Sequence, residues 1–146
     1  MTTMTDLTLD VARKISDAAL AKCREMKLKP MAIAILDARG TLKTFVAEDG
    51  TSLLRAEVAH GKAYGALALG MGSRAIFKRA GEQPYFVDAI NTMARGALVP
   101  VPGGVLINDN NGALLGAIGI SGDTSDNDEA AALAGIAAAG LVGNAG

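Results

Sequence analysis

The sequence predicts an α+β fold on a mostly antiparallel sheet, and three observations carry that prediction. Amphipathic helical segments stand near both ends and in the middle of the chain. Between them lie short apolar runs joined by tight Gly or Asn-Gly turns, the pattern of β-hairpins. The resulting order is α, β, β, α, (α), β, β, β, α, which lacks the strict strand–helix alternation of a doubly wound parallel sheet.

The first helix is expected over residues 8–28. Leu9, Ala12, Ile15, Ala19, Cys23 and Met26 recur at three- and four-residue steps. Thr8 can cap it, Asp10 suits the positive end of its dipole, and Pro30 stops the chain beyond it. Cys23 falls on the apolar stripe and reads as a buried structural thiol. MAIAILD (31–37) and TLKTFVAE (41–48) form a hairpin across Ala38-Arg39-Gly40. In the second strand Leu42, Thr44 and Val46 alternate against Lys43 and Phe45. Ser52 is expected to cap a helix over about 53–70, with Ala56, Ala59, Ala63, Ala66 and Gly70 as a small-residue face. Gly61 and Gly65 inside it predict close approach of another backbone, since an interior helical glycine costs about 1 kcal/mol relative to alanine.

Beyond Gly72, Ser73 starts a short turn with Arg74, Lys78 and Arg79, followed by a short helix over 85–94 with Phe86, Ile90 and Met93 on one side. Leu98-Val99 and 104–107 read as strands. Asp109-Asn110-Asn111-Gly112 is a turn signal between VLIN and ALLGAIGIS, so a hairpin belongs at the sheet centre. The glycines at 116, 119 and 122 follow G-x-x-G-x-x-G spacing, neither the dinucleotide fingerprint nor a P-loop. They mark close neighbours of a strand, such as a helix. A last helix is expected over 126–142. Asp123, Asp126, Asp128 and Glu129 crowd its start and read as caps, through Ser125 to Asp128 or Asp126 to Glu129. Phosphate there would meet like charge.

A length of 146 residues suits one domain, 1–146. Half the chain is apolar but only 3% is aromatic. The core must therefore come from Ala, Val, Ile, Leu and Met, and its modest area predicts added stabilisation from subunit contacts. A net charge of −1 without a basic block argues against nucleic acid as a partner. One cysteine excludes an internal disulfide. MTTMTDLTLD lacks the pattern of a signal peptide, and no uninterrupted apolar run reaches membrane length, so a cytoplasmic protein with no membrane partner is expected.

In order and spacing, several motifs resemble those of the GlcG/HbpS family, the haem-degrading-domain group. They are the hairpin with Asp37 and Gly40, Asp49-Gly50, Lys62-Ala63, Gly103-Gly104, the run Gly116-Ala117-Ile118-Gly119-Ile120-Ser121-Gly122, and Asp128. The resemblance spans nearly the whole chain. It implies a profilin-like α/β/α sandwich with a five-stranded antiparallel sheet, a homo-oligomer (often an octamer), and haem or a related tetrapyrrole as ligand. Relatives also sit beside catabolic genes. The chain departs from the pattern at Ala47, where many relatives carry Arg, at Gly72-Ser73, where many have Pro-Ser, and at Leu106, where many have Pro. The missing arginine removes one partner for a carboxylate or propionate.

His60 is the sole histidine, and so the sole conventional neutral nitrogen ligand for haem iron. Tyr64 lies at i+4 on the same helix face. The competing reading is a surface or interface histidine satisfied by a hydrogen bond. Arg74, Lys78, Arg79 and Arg95 are dispersed cations able to hold propionates or a substrate carboxylate, or simply to form a solvated face. Under the resemblance, Gly103 and Gly104 join His60, Tyr64, Arg74 and Arg79 as cofactor-contacting positions. The alternative function is a cofactor-free isomerase, tautomerase or hydrolase of a catabolic pathway, with Lys62 and Ser73 as catalytic candidates. Lys62, in an Ala/Gly-rich helix, can be partly buried with a lowered pKa and act as base or anion holder. Against this, its stem can pack while its head reaches water or caps carbonyls. Ser73 also resembles a helix cap. A third reading is a structural or regulatory subunit, since small-residue helix faces suit assembly.

Overall fold

The structure, a computed structural model, describes residues 6–146. Five helices and a five-stranded, wholly antiparallel sheet are present among the described residues. The chain runs α1 (Leu9–Glu25), β1 (Ala32–Asp37), β2 (Leu42–Ala47), α2 (Arg55–Leu69), α3 (Ser73–Glu82), α4 (Pro84–Met93), β3 (Gly104–Asn108), β4 (Leu114–Ser121), α5 (Ser125–Ala138) and β5 (Val142–Asn144). Strand order is β2-β1-β4-β3-β5. No helix among the described residues is long and apolar enough to cross a membrane.

The two sheet faces differ because their side chains differ. On one face, Ile33, Ile35, Val105, Ile107, Ile118 and Ile120 form the main core beneath α1 and α5. Those helices meet closely because Gly135 has no Cβ, which would sit 2.7 Å from the Ile15 carbonyl oxygen. The other face carries small residues at its centre. The register aligns Phe45, Ala34, Gly119 and Gly104 in one row across four strands, and Leu42, Leu36, Ala117 and Leu106 in the next. A Cβ on Gly119 would meet the Ala59 carbonyl oxygen, and one on Gly104 would meet that of Lys62, each closer than any packing allows. These missing side chains let α2 sink onto the sheet centre through Ala59, Ala63 and Ala66. In the first of these rows the one large residue, Phe45, stands at the sheet edge on β2, while the second row also carries Leu36 and Leu106 in the core under α2. The α/β/α sandwich expected from the resemblance is the fold observed.

Thr8 caps α1 by accepting the Val11 amide, and Asp109 accepts from the Asn111 and Ala113 amides to close the central turn. Several expectations change. Ser52 does not cap α2, which begins at Arg55 without a side-chain cap. The segment after Ser73 is a full ten-residue helix, not a short turn. In α4 it is Val87 that is buried, while Met93 is exposed. Leu98-Val99 is not a strand. Leu98 packs against Gly65 and Val99 against Gly61, so these apolar residues fill the gaps the two glycines leave. Pro100 and Pro102 follow the pair and offer no amide hydrogens for a ladder. The last helix ends at Ala138. Gly140, at φ +73, turns the chain so that 142–144 becomes the edge strand β5. Thr124, not Ser125 or Asp126, caps α5 by accepting the Asn127 amide.

The hairpin carries a further correction. A register shift lies between Ile35 and Leu36, so Thr44 pairs with Ile35 but Leu42 pairs with Leu36. Lys43 is the extra residue. A bulge of this kind breaks the period of two. Leu42 therefore shares the α2 side of the sheet with Phe45, instead of alternating against it.

Candidate functional site

An apolar groove of about 590 Å³ opens where α2 stops covering the sheet. Its floor is the bulged strand, through Leu42 and Phe45. One wall is the first half of α2, with Leu54, Glu57 and His60. The other is the segment after α4, with Arg95 and Val99. That segment is anchored by its own packing on Gly61, by the Val99 amide donating to the Gly61 carbonyl at 3.2 Å, and by the Leu98 amide donating to Asn91 Oδ1 at 3.1 Å. The His60 ring stacks on Tyr64, with centroids 6.1 Å apart and planes 18° from parallel. The groove therefore presents an imidazole and a guanidinium over an apolar floor. Its residues Leu42, Phe45 and Leu54 are all exposed.

A second polar constellation lies on the same helix but inside the protein. Lys62 is 2% exposed and Asp128 1%. Lys62 Nζ donates to the Ile120 carbonyl at 2.8 Å and to Asp128 Oδ2 at 3.1 Å. Asp128 Oδ1 accepts the Asp123 amide at 3.0 Å. Burial pushes the Lys62 ammonium below its ordinary value and the Asp128 carboxyl above its own, while their contact opposes both shifts. Gly103 (φ +121) lies directly over Lys62: a Cβ there would sit 2.8 Å from Nζ. Ser73, fully buried, accepts the Gly104 amide through Oγ at 2.7 Å. Lys62, Ser73, Gly103 and Gly104 are thus one cluster, joining α2, α3 and α5 to the start of β3. The competing expectation for Lys62, a head that caps a carbonyl, describes its bond to Ile120, although that head does not reach water.

The remaining candidates are placed elsewhere. Arg74 does not meet His60. Its Nε and a terminal nitrogen grip Glu129 at 2.9 Å each, and it also pairs with Asp126. Glu129, then Asp126, push its pKa up. Arg79 hydrogen-bonds Gln83 and lies 4.0 Å over the Phe86 ring. The acidic residues expected as caps of α5 therefore divide: Asp126 and Glu129 hold Arg74, and Asp128 holds Lys62. Among the described residues no group of three or more His, Cys, Asp or Glu is arranged for a metal ion. Sequence reasoning missed Leu42, Phe45, Leu54 and Glu57 as site residues. Glu57 had a signal, since Glu-x-x-His puts it one turn before His60. Leu42 and Phe45 had none, because the bulge that joins them is set by pairing with β1.

Solved structures share this architecture. A crystallised PduOC–haem complex superposes with a TM-score of 0.81 at 25% identity, covering 91% of this chain and 94% of that one. HbpS gives 0.78 at 26% identity, covering 94% and 92%. The Klebsiella pneumoniae protein ORFY gives 0.84 at 20% identity, covering 96% and 94%, a likeness of fold. No curated protein matches the chain. Residues 7–137 match the family described as haem degrading protein HbpS-like, and the chain belongs to that family.

Proposed function

We propose that this protein is a haem- or tetrapyrrole-binding protein whose site is the groove beside His60. The observation that carries the reading is that the chain's sole histidine lines its large apolar groove. The residues present fit the group. A volume of about 590 Å³ lies within the range of roughly 300–1,000 Å³ usual for ligand pockets. Leu42, Phe45 and Leu54 offer apolar contact to a flat ring system, His60 a neutral nitrogen for iron, and Arg95 a cation for a propionate. When bound, haem would supply redox and ligand-binding iron. His60 would be the residue that holds the iron, the Tyr64 stack would orient its ring, and the apolar groove wall would shield the bound group from water. Membership of the haem-degrading family and a haem complex among proteins of this fold support the reading.

In this reading Lys62 and Ser73 are positioning residues. They hold the Gly103-Gly104 corner and, through it, the sheet beneath the site. A cofactor-free isomerase, tautomerase or hydrolase would need substrate to reach two side chains that the fold closes off. Leu53, 89% exposed, and Leu54 stand beside the groove, and apolar patches of this kind favour association of copies. A homo-oligomer is therefore part of the proposal, with the octamer as the number the resemblance implies.

The test is a hemin titration of the apo-protein, followed in the visible absorption, beside His60→Ala. A saturable one-to-one endpoint that is lost in the variant supports the reading. A shift without an endpoint, equal in both proteins, refutes it and indicates nonspecific apolar uptake.

A further inference from the structure

A second groove, of about 550 Å³, lies on the other side of β2, between that edge strand and α1. From α1 it is lined by Leu9, Arg13, Ser16 and Asp17, and from β2 by residues that include Lys43 and Thr44. Two hydroxyls on these walls have no hydrogen-bond partner among the described residues: Ser16 Oγ, in a residue only 4% exposed, and Thr44 Oγ1. Buried polar atoms are nearly always paired, because an unpaired one forfeits its hydration without return. Two such atoms, from different elements, in one groove call for a common partner. The charges around them point to its nature. Arg13 and Lys43 join no ion pair among the described residues. Lys43 is the residue that the β2 bulge inserts, so the distortion that shapes the His60 groove also delivers a cation here. Asp17 is the acidic group facing them, which leaves one net positive charge.

We infer that the α1–β2 groove binds a small organic monocarboxylate with an apolar body. Arg13 and Lys43 hold the carboxylate, for which a guanidinium fork is the matched partner. Ser16 and Thr44 donate to its oxygens after rotation about χ1. Leu9 and Val46, also on the groove wall, receive the apolar body. A dianion such as phosphate fits less well, because Asp17 stands among the cations. The site does not include His60, although Phe45 lines both grooves.

Benzoate is the probe, with benzamide as its neutral counterpart. Binding is followed by amide NMR shifts of the ¹⁵N-labelled full chain, in wild type, Arg13→Gln, Ser16→Ala and His60→Ala. Benzoate should give saturable shifts at residues 13–17 and 43–46, and benzamide should give none. Arg13→Gln should weaken binding at least ~10-fold, as loss of a charge-assisted bond does, and His60→Ala should leave it unchanged. Ser16→Ala should weaken binding while leaving Tm equal or higher, because it removes an unpaired hydroxyl and not an internal bond. Shifts that fail to saturate, that match between benzoate and benzamide, or that cluster around His60 overturn the inference. So does a lower Tm for Ser16→Ala, which would mean that the hydroxyl is already used within the protein.

Discussion

Lys62 and His60 stand two residues apart on α2 and live in opposite environments. Lys62 is enclosed, with its ammonium divided between the Ile120 carbonyl and Asp128. His60 faces an open apolar groove, stacked on Tyr64. A step of two positions in a helix of 3.6 residues per turn nearly reverses side-chain direction, which turns Lys62 toward α5 and the sheet, and His60 toward the uncovered edge. Burying a charge is costly unless it is paired, and once paired it becomes structurally indispensable. A titratable group bonded to partners inside the fold helps to hold the fold together. One that faces an apolar opening is free to meet a ligand.

Breaking the enclosed member should have the largest effect. Lys62→Ala leaves the Asp128 carboxylate buried and unpaired, and should lower stability by roughly 3–5 kcal/mol, read as a fall in the urea midpoint. Replacing both partners, Lys62→Met with Asp128→Leu, should restore most of that loss, because the uncompensated charge is gone. Recovery in the double variant would identify the cost as electrostatic; no recovery would locate it in packing under Gly103 or in the Asp123 amide that loses its acceptor. Next in size is Ser73→Ala. It strands the Gly104 amide in the interior, where an unmade hydrogen bond costs about 1–3 kcal/mol. Ser73→Thr, which keeps the hydroxyl, tests whether the bond or the volume matters.

A smaller effect concerns pH. The amides of Lys29 and Thr124 and the side chain of Asn127 donate to Asp123 and hold its carboxyl at about 2, below the ordinary 3.8. The folded state favours the ionised form, so its contribution is complete above pH 3.8 and is lost as pH falls through about 2. Asp123→Asn should therefore shallow the acid limb of a stability–pH curve by lowering stability near neutrality, where the contribution is complete, and leaving it unchanged below about pH 2. His60→Ala should move stability least, within about 0.5 kcal/mol, as expected where no internal network is cut. A large destabilisation there would erase the contrast with Lys62.

Much of this architecture was legible in the sequence, and the illegible parts share a cause. The spacing of Ala12, Ile15, Ala19 and Cys23 marked α1, and Asp109 to Gly112 marked the central turn. Gly61, Gly65 and Gly119 announced close approach. Each is a local pattern whose meaning does not depend on distant residues. Leu98-Val99 misled because two apolar residues before a proline look the same whether they pair as a strand or plug gaps beside glycines. β5 was missed because the expected last helix runs through to 142, and only Gly140 marks the turn before the strand. The Lys62–Asp128 pair spans 66 positions: Lys62 alone reads as a partly buried base or carbonyl cap and Asp128 alone as a helix cap, and neither points to the other. The groove was hardest to see, since the β2 bulge decides which side chains form its floor. His60 was found because a single histidine is conspicuous by its chemistry. Its surroundings follow from tertiary pairing.

That single histidine also allows a direct test of the central claim. Protein grown with ¹⁵N-histidine carries label at one residue, so pulsed electron paramagnetic resonance of the hemin-loaded protein reads His60 alone. If His60 holds the iron, the hyperfine pattern should change between ¹⁴N- and ¹⁵N-histidine samples, in the manner of a directly bonded imidazole nitrogen. Identical spectra from the two samples would show that His60 does not bind the iron, and would contradict the placement of the site.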